Sequence, residues 1–187
     1  FAHGDIYMIG AFVGFVTLSS FGGLVGMATV PVLILLILIA MIFTGLLGVT
    51  IERVAYRPLR TSPRLAVLIT AVGMSFTLEY GVRQIFGPSP EAYQIRLSGS
   101  KVDLLGANVS TAQIALMAIA ALLMLVLAFY VNKTREGRAM RAIALDPQAS
   151  TLMGVNVNGV ISRVFFIGSA LAGAAGVMAG AYYGSID

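Results

Sequence analysis

The run from Ile6 to Ile51, IYMIGAFVGFVTLSSFGGLVGMATVPVLILLILIAMIFTGLLGVTI, contains no charged side chain over 46 residues. About 20 apolar residues suffice to cross a hydrocarbon core roughly 30 Å thick, so this run holds two crossings. Phe21-Gly22-Gly23 is the natural break between them, and Pro31 falls near the start of the second, where a helix tolerates it best. The expected spans are 6–21 and 29–51. The first is short, roughly 24 Å at 1.5 Å per residue.

Three more apolar stretches follow, at 65–86, 111–132 and 164–184. Of the 187 residues, 58% are hydrophobic and 11% charged, far from the quarter charged that is usual in soluble domains. The expectation is an all-α polytopic transmembrane helix bundle of about five spans, forming one domain over 1–187. There is no cysteine, which excludes disulfides and thiolate metal sites. His3 is the only histidine, which excludes a multi-histidine metal site. The chain starts at Phe1 and stops at Asp187 directly after an apolar run, as expected of a segment of a longer protein.

Positive charge is distributed by loop. The segment 52–64 holds four Arg, 133–163 holds five Lys or Arg, and 87–110 holds two. The positive-inside rule therefore puts 52–64 and 133–163 in the cytoplasm and 87–110 on the far side. In 87–110, alternation at Tyr93, Ile95 and Leu97 followed by Ser98-Gly99-Ser100 suggests a small hairpin. The net charge of +4 is a matter of topology, and no nucleic-acid partner is expected.

The segment 133–163 reads KTREGRAMRAIALDPQASTLMGVNVNGVISR. Arg135 to Leu145 has Ala139, Met140, Ile143 and Ala144 at helical spacing, which predicts a short amphipathic helix. Asp146-Pro147 is a helix start, with Asp able to cap the first turn and Pro tolerated at the first position. Gly154 sits where a left-handed cap would end that second helix. Two readings of the pair stay open from the pattern alone. One is interfacial helices lying on lipid. The other is a docking element that presents Leu152, Met153 and Val155 beside arginines to a partner's groove.

Other constellations have two readings each. Gly168, Ala172, Gly176, Gly180 and Gly184 recur every four residues and predict a small-residue seam, either for packing within the bundle or for a gate or subunit interface. Gly10 and Gly14 repeat the pattern weakly. Glu79 and Arg83 stand four apart and can pair on one helix face. As intramembrane charges they are candidates for a translocation path, yet they lie late in their span, where Arg can reach headgroups. His3, Gly4 and Asp5 precede the short first span, where they either line the path or cap the helix, Asp5 satisfying its first turn. No nucleophile–base–acid set and no phosphate loop is present, so no catalytic residues and no enzymatic activity are expected.

Glu136-Gly137-Arg138-Ala139, Ala144-Leu145-Asp146-Pro147 and Gly154-Val155-Asn156 resemble the cytoplasmic coupling loop of bacterial ABC importer permeases. FAHGDIYMIG at 1–10, IERVAYRPLR at 51–60 and ITAVGMS at 69–75 make the chain similar to the branched-chain amino-acid permease subunits of the LivH type. The resemblance covers nearly the whole chain, and 51–60 is its most specific part.

It implies a permease subunit of the bacterial inner membrane. Its partners would be two ABC ATPase subunits, a second permease subunit and a periplasmic substrate-binding protein, with ATP and Mg on the ATPases and no cofactor on this chain. It also implies coupling residues: Glu136, Gly137, Arg138, Arg141, Ala144, Asp146, Pro147, Leu152 and Gly154. Leu145 stands where the family usually has an acidic residue, so any role of that carboxylate is absent here. The alternatives are a sister importer for urea, amides or other amino acids, a secondary transporter, and a non-transporting membrane scaffold.

Overall fold

The computed structural model describes residues 2–20, 29–60, 62–87, 91–92, 101–104 and 107–186. Five long helices dominate: α1 (Ala2–Ser20), α2 (Thr29–Ile51), α3 (Arg64–Phe86), α4 (Thr111–Lys133) and α7 (Val157–Tyr183). Between the last two lie the short helices α5 (Arg135–Leu145) and α6 (Pro147–Leu152). Two antiparallel ribbons complete the fold. β1 (Glu91–Ala92) pairs with β4 (Ser185–Ile186), and β2 (Lys101–Leu104) with β3 (Ala107–Ser110), with Lys101 opposite Ser110. The Phe21-Gly22-Gly23 break and the expected hairpin at Tyr93, Ile95 and Leu97 lie outside the described residues.

Among the described residues, four helices are long and apolar enough to cross a membrane: Pro31–Leu59, Leu65–Phe86, Gln113–Lys133 and Val157–Tyr183. With such helices the chain is an integral membrane protein. Helix α1, which carries His3 and Asp5, is the fifth long helix and is packed at the centre.

The core is a three-helix unit. Ala11, Phe12 and Leu18 of α1, Val32, Leu33, Leu36, Ile37 and Ala40 of α2, and Ala174, Val177 and Ala181 of α7 are buried together. In lipid, helices gain little from burying apolar surface, so close packing at small residues holds them together. A Cβ on Gly10 would come within 2.4 Å of the Gly173 Cα, and one on Gly176 within 2.1 Å of the Tyr7 carbonyl oxygen. Across the other interface, a Cβ on Gly48 would sit 1.9 Å from Ser169 Oγ, and one on Gly173 2.2 Å from Thr44 Oγ1. Thr44 is fully buried and donates to the Ala40 carbonyl at 2.7 Å.

The expected seam is therefore partly corrected. Gly176 and Gly180 are buried as predicted, but Gly168 and Ala172 are only half-buried, and Gly184 is a left-handed C-cap at φ +72°. The buried row runs through Ser169, Gly173, Gly176, Val177 and Gly180. A strict four-residue row advances about 40° more than one turn at each step, so by Gly184 it has swung roughly 160° away from Gly168.

Helices α3 and α4 flank this unit and leave most of their apolar surface open, including Leu65, Ile69, Met117 and Met124. α3 is joined to α1 by the Phe12–Phe86 ring stack at 4.7 Å, and its Met74 and Leu78 pack against the small cluster of Ile6, Ile51 and Ala55.

A second correction concerns 52–64, expected as a hydrophilic loop. The chain continues from α2 through a π-helical turn, Glu52–Tyr56, and a 3-10 turn, Arg57–Leu59, before breaking. The polar residues do not end the helix because Glu52 has its charge matched inside the fold. Likewise α7 begins at Val157, seven residues before the apolar run that was expected to start it. Asn156 caps it by accepting from the Gly159 amide at 3.0 Å.

Candidate functional site

The two Arg-rich segments meet at one end of the bundle. Glu52 is fully buried there. Its Oε1 accepts from Arg60 and its Oε2 accepts from Ser162 Oγ at 2.7 Å. Arg60 also donates to Asn158 Oδ1. One carboxylate thus ties the end of α2 to the first turns of α7, with Tyr56 and Phe165 in ring contact at 5.5 Å beside it. A buried carboxylate is tolerated only when its charge and lone pairs are matched, which Arg60 and Ser162 do here. Nothing in the pattern of the sequence marks Glu52 as buried. Its partners stand 8 and 110 residues away, and only its place at the edge of a long apolar run was a signal.

The short helices are built from local signals. Thr134 caps α5 by accepting from the Gly137 amide at 3.1 Å. Asp146 Oδ1 accepts from the amides of Gln148 at 2.8 Å and Ala149 at 3.0 Å, and Pro147 opens α6 as its first residue. Gly154 then adopts φ +79°, and the Val155 amide donates to the Ser150 carbonyl at 3.0 Å. The expected cap, start and stop all stand where the sequence put them.

This pair is fastened to the bundle at three points. Gly137 is buried, and a Cβ there would be 2.1 Å from the Val131 carbonyl oxygen, so α5 folds back tightly on the end of α4. Arg141 donates to the same carbonyl. Glu136 forms an ion pair with Arg163 of α7. Of the predicted coupling residues, then, Glu136, Gly137 and Arg141 hold the pair in place, and Asp146, Pro147 and Gly154 shape it. Arg138, Ala144 and Leu152 face outward.

The outward tip is apolar. Leu145 ends α5 at 88% exposure, Leu152 ends α6 at 89%, and Met153 follows at 84%. Leu145 was expected to matter only as a missing carboxylate. The structure puts it among the exposed apolar residues of the tip instead.

The candidate path residues separate. His3, Gly4 and Asp5 lie inside α1, not ahead of it, which corrects the reading of an N-terminal cap. Asp5 Oδ2 accepts from Ser75 Oγ of α3 at 2.5 Å, near the middle of that helix. His3 approaches Gly168 of α7. Glu79 and Arg83 form their ion pair at 3.1 Å on the exposed flank of α3. No group of three or more His, Asp or Glu close enough to hold a metal ion occurs among the described residues.

The family of branched-chain amino acid transport system permease components matches residues 1–187, the whole chain. The chain belongs to this family. Similar curated members of this permease family are the high-affinity branched-chain amino acid transport system permease protein BraD of Pseudomonas aeruginosa and the LivH proteins of Salmonella typhimurium and Escherichia coli K12. They are 38%, 38% and 37% identical over all of this chain. The chain spans 62% of the length of each of these permeases. No solved structure matches it.

Proposed function

We propose that this chain is the membrane-spanning part of a permease subunit in an ATP-driven importer of branched-chain amino acids, and that α5 and α6 are its coupling element. One observation carries the reading: an exposed apolar tip, Leu145, Leu152 and Met153, stands on a helix pair bonded to both α4 and α7. An apolar tip on a rigid mount suits insertion into a groove of a partner protein. Movement of that partner would pass through Arg141 to the end of α4, and through Glu136 and Arg163 to α7. Since α7 is packed on α1 and α2 at Gly173 and Gly176, it would carry the three-helix unit as one body.

The partners in this reading are two ABC ATPases, which bind and hydrolyse Mg-ATP, a second permease subunit and a periplasmic binding protein. This chain performs no catalytic step and holds no cofactor. The site is the bacterial inner membrane, with 52–64 and 133–163 on the cytoplasmic side. Asp5, half-buried and bonded to Ser75 near the middle of α3, is the path candidate that the geometry favours. The Glu79–Arg83 pair suits an interfacial position. The names of the relatives favour branched-chain amino acids over urea or amides.

The test is single cysteines at Ala144, Leu152 and Val155 in the full-length protein, crosslinked to the ATPase subunits with and without nucleotide. Crosslinks that change with nucleotide are expected. Lipid labelling at all three positions without ATPase crosslinks would overturn the reading.

A further inference from the structure

A cavity of about 650 Å³ opens at the Arg-rich end, between the end of α2, Tyr130 of α4 and the first turns of α7. Its polar part holds Arg53, Arg57 and Arg163. The carboxylates nearby are already engaged, Glu52 by Arg60 and Glu136 by Arg163. Arg53 and Arg57 have no carboxylate partner among the described residues. The other wall is apolar, formed by Val49, Phe166 and Ile167. Val49 belongs to the last apolar turn of α2 and Arg53 to the polar turn that follows, so the cavity spans the change from apolar to charged sequence at this end of the bundle.

We infer that this cavity binds the phosphate of an anionic phospholipid, with Arg53 and Arg57 on the phosphate and the Val49–Phe166–Ile167 wall against the lipid's apolar part. Guanidinium groups match phosphate oxygens with paired hydrogen bonds, and two unmatched guanidiniums in one recess repel each other until an anion enters. Basic pockets between membrane helices at the headgroup level recognise anionic lipids in this way. A free phosphate has the same charge chemistry but makes no use of the apolar wall. This inference is independent of the coupling role of α5 and α6.

The test uses the full-length permease in its assembled complex, delipidated and given phosphatidylglycerol and phosphatidylethanolamine in equal amounts, with retained lipid read by native mass spectrometry. Two arginines at the headgroup level predict a preference for phosphatidylglycerol on the order of tenfold or more. In the Arg53→Gln/Arg57→Gln variant the preference should fall to within about twofold. Equal retention of the two lipids by the unaltered protein overturns the inference, whether or not the variant folds. So does an undiminished preference in the variant. In phosphatidylcholine nanodiscs, inorganic phosphate at millimolar concentration provides the second arm. Stabilisation by it that depends on Arg53 and Arg57, without any lipid preference, would keep the phosphate site and overturn the lipid as its source.

Discussion

Glu52 is the residue on which the Arg-rich end depends. Its carboxylate is buried, whereas the guanidinium of Arg60 reaches solvent, so the two halves of the pair are unequal. Arg60→Gln leaves a buried charge supported only by Ser162. Glu52→Gln removes the charge and keeps a hydrogen-bonding group. Arg60→Gln should therefore cost more, roughly 3–5 kcal/mol against about 1–3 kcal/mol for Glu52→Gln. The double variant should be close to Glu52→Gln alone. Thermal unfolding of the four proteins in detergent checks this, and equal losses from both single changes would refute it.

The glycines make a second residue-level case. Gly48→Ala drives a methyl into Ser169 Oγ, an overpacking cost of about 1–3 kcal/mol, and Ser169→Gly should recover most of it. Gly10→Ala meets the backbone of Gly173, so trimming side chains offers no rescue. Melting temperatures of the single and paired variants separate the two situations.

At the level of the element, α6 depends on its ends. It has six residues, too few to be stable alone, and Asp146 satisfies two of its first amides. Asp146→Ala should cost about 1 kcal/mol locally. The change should appear as faster amide exchange at Ser150 to Met153, with the global melting temperature nearly unchanged. Leu152→Ser with Met153→Ser is the opposite case. Both side chains are exposed, so the fold should keep its stability while association with the ATPase weakens, measured as co-purification of the subunits. Unimpaired co-purification would count against the apolar tip as a docking surface. These helices were legible in the sequence because every signal is local: the spacing of Ala139, Met140, Ile143 and Ala144 marks α5, and Asp146, Pro147 and Gly154 act within one turn of their own position, whereas the Thr134 cap emerged only from the structure.

At the scale of the whole molecule, α1, α2 and α7 form the packed unit while α3 and α4 flank it, α4 entering the core at Leu116 and α3 packing on it through Val82 and Phe86. α3 runs from the Arg-rich end at Arg64 to the opposite end, where Phe86 stacks on Phe12. Leu152 and Arg83 therefore stand toward opposite ends of the bundle. A membrane-impermeant thiol reagent should label Leu152→Cys from the cytoplasm and Arg83→Cys from the periplasm. Labelling of both from one side would refute the assigned orientation.

The sequence alone determined that this chain is a membrane helix bundle, that its arginines gather in two segments, and that a capped helix pair interrupts it. Hydropathy, charge counts and caps are properties of neighbouring residues, and they need no knowledge of the partner surface. Only the tertiary structure decided that Glu52 is buried against Arg60 and Ser162, that Asp5 bonds to Ser75, and which face of α7 is the seam. Those outcomes depend on which distant side chain stands opposite. A four-residue repeat could not predict the face, because a helix of 3.6 residues per turn rotates the repeat away from any fixed neighbour.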